Sequence, residues 1–99
     1  SDSIRGFLNI LFHGASGSIY NVGNDEEISM INLSKKIKNL IGNVDIIYEK
    51  SIDKHYITDN PQRRIPDLTK IKNELHFTPK IPLNEGLKRT YDWYKKNII

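Results

Sequence analysis

Ile19-Tyr20-Asn21-Val22-Gly23, then Ser29 followed by Ile31, Leu33, Ile37, Leu40 and Ile41 at helical spacing, then Val44-Asp45-Ile46-Ile47-Tyr48: the reading of this stretch decides the fold. The first and last runs are rich in β-branched and aromatic residues and are punctuated by Gly23-Asn24-Asp25 and Gly42-Asn43, which is the pattern of short strands. The middle run places its apolar residues on one side, with Lys35, Lys36, Lys38 and Asn39 largely on the other, which predicts an amphipathic helix. Ser29 is its expected N-cap, with Asn32 where a capping box would put Glu or Gln. Strand, helix and strand joined by short loops predict a parallel βαβ unit with a right-handed crossover. The expected fold class is therefore α/β, a short parallel βαβ unit with flanking helices. Such a pair needs cover on both faces, so the pattern points to a partner layer beyond these elements.

Working outward, Ser1 or Asp2 can cap a helix whose Ile4, Phe7, Leu8, Leu11 and Phe12 form one apolar stripe, expected to be buried, with His13-Gly14 closing it in a left-handed turn. Residues 49 to 66 read as a long irregular connection, and loops beyond about 12 to 15 residues in compact domains tend to be functional. Pro66-Asp67 reads as a helix start with Asp67 capping and Leu68, Ile71 and Leu75 facing inward. His76 to Pro82 is a proline-punctuated extended link. A last helix from about Leu83 is expected to bury Leu83, Leu87, Thr90, Tyr91 and Tyr94.

Ninety-nine residues allow one domain at most, and 37% apolar content arranged in periodic runs indicates a folded chain rather than disorder. The net charge of +3, from 15 basic and 12 acidic residues spread along the chain, is too mild to imply a nucleic-acid partner. The chain has no cysteine, which excludes disulfides and thiolate metal sites. His13, His55 and His76 lack the paired spacing of a metal site. No apolar run approaches a membrane span and Ser1-Asp2-Ser3-Ile4-Arg5 lacks a signal-peptide pattern, so the expected protein is soluble and cytoplasmic. A start without methionine, already inside a helix pattern, reads as a piece of something longer.

The chemistry concentrates in Asp59-Asn60-Pro61-Gln62-Arg63-Arg64-Ile65-Pro66-Asp67. Paired guanidinium groups suit a diphosphate because each offers a planar fork of donors that stays charged. The two prolines restrict themselves and the residues before them, Asn60 and Ile65. From the residues alone, an anion-binding loop and a plain solvated loop both remain open. Gly23-Asn24-Asp25-Glu26-Glu27 follows the end of an expected parallel strand, where α/β proteins place ligands, but its acidity opposes a phosphate and it reads first as a turn feeding the next helix. Gly14, Gly17 and Gly23 do not form a dinucleotide or P-loop fingerprint. Tyr91 and Lys95 have a Tyr-x-x-x-Lys spacing, but Tyr91 lies on the apolar stripe of the last helix, so no catalytic residue is assigned.

Ile19-Tyr20-Asn21-Val22-Gly23-Asn24, Ile28-Ser29 with its helix, Pro61-Gln62-Arg63-Arg64-Ile65-Pro66-Asp67, Pro79, and Leu83-Asn84-Glu85-Gly86-Leu87-Lys88-Arg89-Thr90 with Trp93-Tyr94 resemble, in order and spacing, the C-terminal third of the extended short-chain dehydrogenase/reductases. These are NAD-dependent nucleotide-sugar epimerases, dehydratases and decarboxylases. The resemblance implies that residues 1–99 are a single C-terminal substrate-binding subdomain, separated from the N-terminal Rossmann domain that holds NAD or NADP and the catalytic Tyr and Lys. It implies that Arg64 reaches the diphosphate or sugar of a nucleotide-diphosphate sugar, with Arg63 as helper. No cofactor is expected to be bound by these residues, and no catalysis by them alone. The implied partners are the nucleotide sugar and the missing Rossmann domain, with no nucleic acid and no membrane. Exposed apolar surface at the missing domain's face can drive self-association. The alternative is a stand-alone basic module that binds an acidic partner or nucleic acid through Arg63, Arg64 and the lysine faces.

Overall fold

The computed structural model describes residues 1–50, 52 and 64–98, and among these described residues four amphipathic or capped segments are helices. They are α1 (Asp2–His13), α2 (Met30–Ile41), α3 (Thr69–Leu75) and α4 (Leu83–Asn97). The chain divides into two compact units, one of residues 1–26 and 65–86, the other of residues 27–64 and 87–99. Helix α4 starts in the first, and from Leu87 onward its residues count with the second.

The expected α/β class with a parallel βαβ unit is overturned: among the described residues all regular structure is helical and no strand forms. The helix of the expected unit is there, capped by Ser29, whose Oγ accepts from the Asn32 N–H at 3.2 Å, and closed by Gly42 at φ 97°, a conformation that disfavours a side chain. Its flanks stay irregular. Strand-forming residue types supply only a preference, and a parallel strand becomes stable when a neighbour takes its backbone groups and layers cover both faces. Among the described residues no such pairing is found. Around 19–23, Lys70 Nζ donates to the Ile19 carbonyl at 3.1 Å, and Tyr20 and Val22 pack onto a small core. In the second unit, Ile47 and Tyr48 are 78% and 69% exposed, so residues 44–48 present no buried face to fix a register.

The first unit is built on Leu68, Ile71 and Phe77, each at most 2% exposed, with Ile10, Tyr20, Val22 and Leu75 packed around them. Leu68 and Ile71 are buried as their spacing on α3 predicts. Helix α1, however, docks by an unexpected face. Gly6 is its one buried residue, Ile10 packs on the core, and Asn9 Nδ2 donates to the Leu75 carbonyl at 2.9 Å. The stripe expected to be buried is left open, with Ile4, Phe7, Leu11 and Phe12 between 61% and 74% exposed and Leu8 49% exposed. The reason is steric. A Cβ at position 6 would come within 2.5 Å of Val22 Cγ1 and 3.3 Å of the Phe77 ring, so glycine alone lets the helix backbone approach Phe77 this closely. At the other end, Gly14 is extended at φ −66°, ψ 145° rather than left-handed, while its N–H still closes α1 onto the Ile10 carbonyl.

A polar clamp fixes the start of α1. Asp2 does not cap its own helix; its Oδ2 accepts from the Lys80 and Ile81 N–H groups at 2.9 and 2.8 Å, and its Oδ1 from Arg5 Nη2 at 3.0 Å. Arg5 also donates to the Thr78 carbonyl and lies over the Phe77 ring, 4.8 Å from its centroid. The Ile81 hydrogen bond, with Arg5 next, lowers the Asp2 carboxyl to about 2.

In the second unit, α2 and the later part of α4 contain no buried residue, and Lys38–Asp45 and Lys88–Asp92 are exposed ion pairs of small worth. The expected burial along α4 is not reached: Leu83, Leu87 and Tyr91 are half-buried, Thr90 is exposed and Tyr94 is 47% exposed.

Two outcomes follow from this packing. Gly6→Ala gains up to about 1 kcal/mol of helix propensity but overpacks a stiff valine and a buried ring, so urea denaturation is expected to give a net loss of about 1 to 2 kcal/mol. For Asp2, the folded-state pKa lies below the unfolded value near 3.8, so its stabilisation is present above about pH 4 and lost as pH falls towards 2. Denaturation midpoints at pH 5 and 2.5 should differ more in wild type than in Asp2→Asn; equal losses would remove Asp2 as the source.

Candidate functional site

The loop singled out by its arginines is described only from Arg64 onward; Arg63 and residues 59–62 lie outside the described residues. Arg64 is exposed and non-helical, immediately ahead of Ile65, which is 44% exposed. From there the chain becomes fixed within three residues. Pro66 lies against Gly23, where an added Cβ would stand 3.1 Å from Pro66 Cγ. Asn21 Nδ2 donates to the Asp67 carbonyl at 3.2 Å, and Leu68 is sealed in the core. Asp67 Oδ1 accepts the Thr69 N–H at 2.9 Å, which satisfies one of the unpaired donors at the start of α3. It does so from one residue before the cap position, since Leu68 occupies that place. Hydrogen bonds from the side chain and backbone of Thr69 hold its carboxyl below the usual range. Asp67 is thus a helix-starting residue, as its position after a proline predicts.

The acidic loop after Gly23 is a fastener. Asn24 Nδ2 donates to the Ile81 carbonyl at 3.3 Å while its Oδ1 accepts the Glu26 N–H at 2.7 Å. Asp25 pairs with Lys72 at 2.5 Å, and that partner lowers its pKa. Glu26 Oε2 accepts the Leu83 N–H at 3.1 Å, so a carboxylate from a distant segment sits at the N-terminus of α4, where negative charge is favoured. Sequence reasoning missed these roles of Asn21, Gly23 and Glu26. A local capping rule cannot find a cap 57 residues away; the one usable signal was the density of small and amide residues in Asn21-Val22-Gly23-Asn24.

Other arrangements do not make sites. Lys95 Nζ lies 6.0 Å from the centroid of the Tyr91 ring, over its face, which is the geometry of a weak cation–π contact. Among the described residues no group of three His, Cys, Asp or Glu side chains could hold a metal, and no helix is long and apolar enough to cross a membrane. Nor does a glycine-rich turn lead into a helix N-terminus: α2 follows Ser29, α3 follows Leu68 and α4 follows Pro82. An open groove of about 550 Å³ beside Asp2, Ile4, Arg5 and Leu8 is mostly apolar, and its guanidinium is committed to the clamp.

Comparison with known proteins agrees with the sequence resemblance. No protein-family model matches the chain. It is 34% identical over 100 residues to mouse dTDP-D-glucose 4,6-dehydratase, covering 99% of the chain and 28% of that enzyme. It is also 34% identical over 101 residues to UDP-glucuronic acid decarboxylase 1 of Xenopus tropicalis, covering 99% of the chain and 22% of that protein. Among solved structures, the Bordetella bronchiseptica enzyme WbmF in complex with NAD+ and UDP matches with a TM-score of 0.76 and 25% identity, over 98% of the chain and 28% of WbmF. The chain belongs to the extended short-chain dehydrogenase/reductase family, of which it represents a segment. It spans about a quarter of the length of these relatives.

Asp67→Ala is expected to lower the melting temperature by about 3 to 6 °C, whereas Asp67→Asn, which retains a side-chain acceptor, stays within about 1 °C of wild type. An equal loss in both variants would show that the charge, not the start of α3, is what matters.

Proposed function

We propose that residues 1–99 are a single substrate-binding subdomain from the C-terminal part of a cytoplasmic NAD-dependent nucleotide-sugar epimerase, dehydratase or decarboxylase. Arg64 contacts the diphosphate or sugar, with Arg63 assisting. The observation that carries this reading is Arg64-Ile65-Pro66-Asp67 running onto the start of α3, in a chain that matches the UDP-bound WbmF along almost its whole length. An arginine suits this task because its planar donors can take two oxygens of one phosphate.

In this reading the hydride chemistry lies outside these residues. NAD or NADP accepts the hydride in the whole enzyme, and these residues contribute recognition of the nucleotide sugar. The open stripe of α1 is then the face turned towards the Rossmann domain, and without that domain it drives self-association. The lysine-bearing surface of α2 is a solvated face.

UDP at millimolar concentration is expected to shift the amide resonances of residues 64–67, while calorimetry with NAD gives no micromolar affinity. In the intact enzyme Arg64→Ala should weaken nucleotide-sugar binding by about 1.5 to 3 kcal/mol, the worth of a charge-assisted hydrogen bond. An unchanged KM and kcat would remove Arg64 from the site. Binding that ignores UDP, favours acidic polymers and falls steeply with salt would favour the basic-module alternative.

A further inference from the structure

We propose that two copies of this chain associate through α1 as an antiparallel two-fold pair, with Phe12 of each seated beside Ile4 and Leu8 of the other. This names the occupant and the register of the self-association assigned above to the open stripe, and it rests on that reading only in taking the stripe to be uncovered in the 99-residue chain. The other face of α1 is already used, since Gly6, Asn9 and Ile10 meet the core of the first unit. Ile4, Phe7, Leu8, Leu11 and Phe12 remain. Together they expose about 700 Å², close to the roughly 800 Å² that each partner brings to a standard specific interface. Monomers rarely leave so large an apolar patch in water.

The shape of the face selects a second copy and its direction. At the N-terminal end of α1 lies the open, mostly apolar groove of about 550 Å³, bordered by Ile4, Leu8 and Ile81 and ample for an aromatic ring. At the other end stands Phe12, 72% exposed. A hollow and a ridge at opposite ends of one helix fit their own copy when the two helices run in opposite directions, which is the self-complementarity of a two-fold interface. Reversed about Leu8, the stripe sets Leu8 against its own copy and Ile4 against Phe12. A parallel pair would set Phe12 against Phe12 and leave both grooves open. Charge agrees with this direction: Asp2 and Arg5 pair with each other at the N-terminal end, so no like charge lies along the stripe, and opposed helix dipoles attract.

The chain contains no cysteine, so single cysteines report the register directly. Under mild oxidation Leu8→Cys is expected to form a disulfide with its own copy, and Ile4→Cys with Phe12→Cys in a mixture, while neither of these two links to itself. Sedimentation equilibrium of the 99-residue chain should show a monomer–dimer equilibrium. Phe12→Glu, at an exposed position outside the core, should weaken that equilibrium about tenfold or more with the helical circular dichroism unchanged, the scale of losing an interface anchor. A chain that stays monomeric overturns the proposal, as does association that Phe12→Glu leaves unaltered. Ile4→Cys that links to itself as fast as to Phe12→Cys overturns the antiparallel pair. The UDP-induced shifts of residues 64–67 read the nucleotide site separately, so loss of the dimer with those shifts intact overturns the pairing and leaves the proposed function standing.

Discussion

The close approach of helix α1 to Phe77, possible because position 6 carries no side chain, is the contact on which the first unit depends. With Phe77 beneath Gly6, Arg5 falls over the ring face and reaches the Thr78 carbonyl, and Asp2 meets the N–H groups of Lys80 and Ile81. Val22 lies against the same glycine, which sets the height of residues 20–26. From that segment Asn21 and Gly23 reach Asp67 and Pro66, and Glu26 reaches the start of α4. A methyl group at position 6 would disturb this whole series, because each later contact is measured from the same backbone approach.

Much of the helical structure was legible because its signals are local. Ser29 and Gly42 bound α2 where a capping residue and a glycine should, and Pro66-Asp67 announces α3 with Leu68 and Ile71 turned inward. The misread parts depend on partners rather than on local pattern. Ile19 to Gly23 and Val44 to Tyr48 carry strand-forming residues, but a strand exists only with a neighbour, and a sequence pattern cannot say whether one is present. Helix α1 shows the same limit from the other side. Its apolar stripe is real, yet a glycine and an asparagine on a narrower face make the contact found here, because backbone proximity and one Asn9 hydrogen bond compete well with side chains that lack a surface to meet.

From residue type alone, adjacent arginines between prolines leave an anion-binding loop and a solvated loop both open, while the helix-starting role of Asp67 follows from its place after Pro66. The holders of that loop's end lie more than 40 residues away, Asn21 from Asp67 and Gly23 from Pro66. The acidity of Asn24-Asp25-Glu26, which weighed against a phosphate ligand, has a structural explanation: an Asn carbonyl bond, a Lys72 ion pair and an α4 cap account for all three side chains.

Magnitudes bound what the proposed Arg64 contact supplies. A Kd of 1 mM corresponds to about −4.1 kcal/mol, whereas one charge-assisted hydrogen bond contributes about 1.5 to 3 kcal/mol. Arg64 by itself does not reach millimolar affinity, so a measurable nucleotide response from this chain requires either further groups or a smaller ordering cost. A residue whose backbone must be fixed on binding forfeits about 1 to 2 kcal/mol, comparable to the contact itself. Within the first unit that cost is already met at Pro66 and Asp67, which are held by Gly23 and Asn21, and the Val22 between those two lies against Gly6.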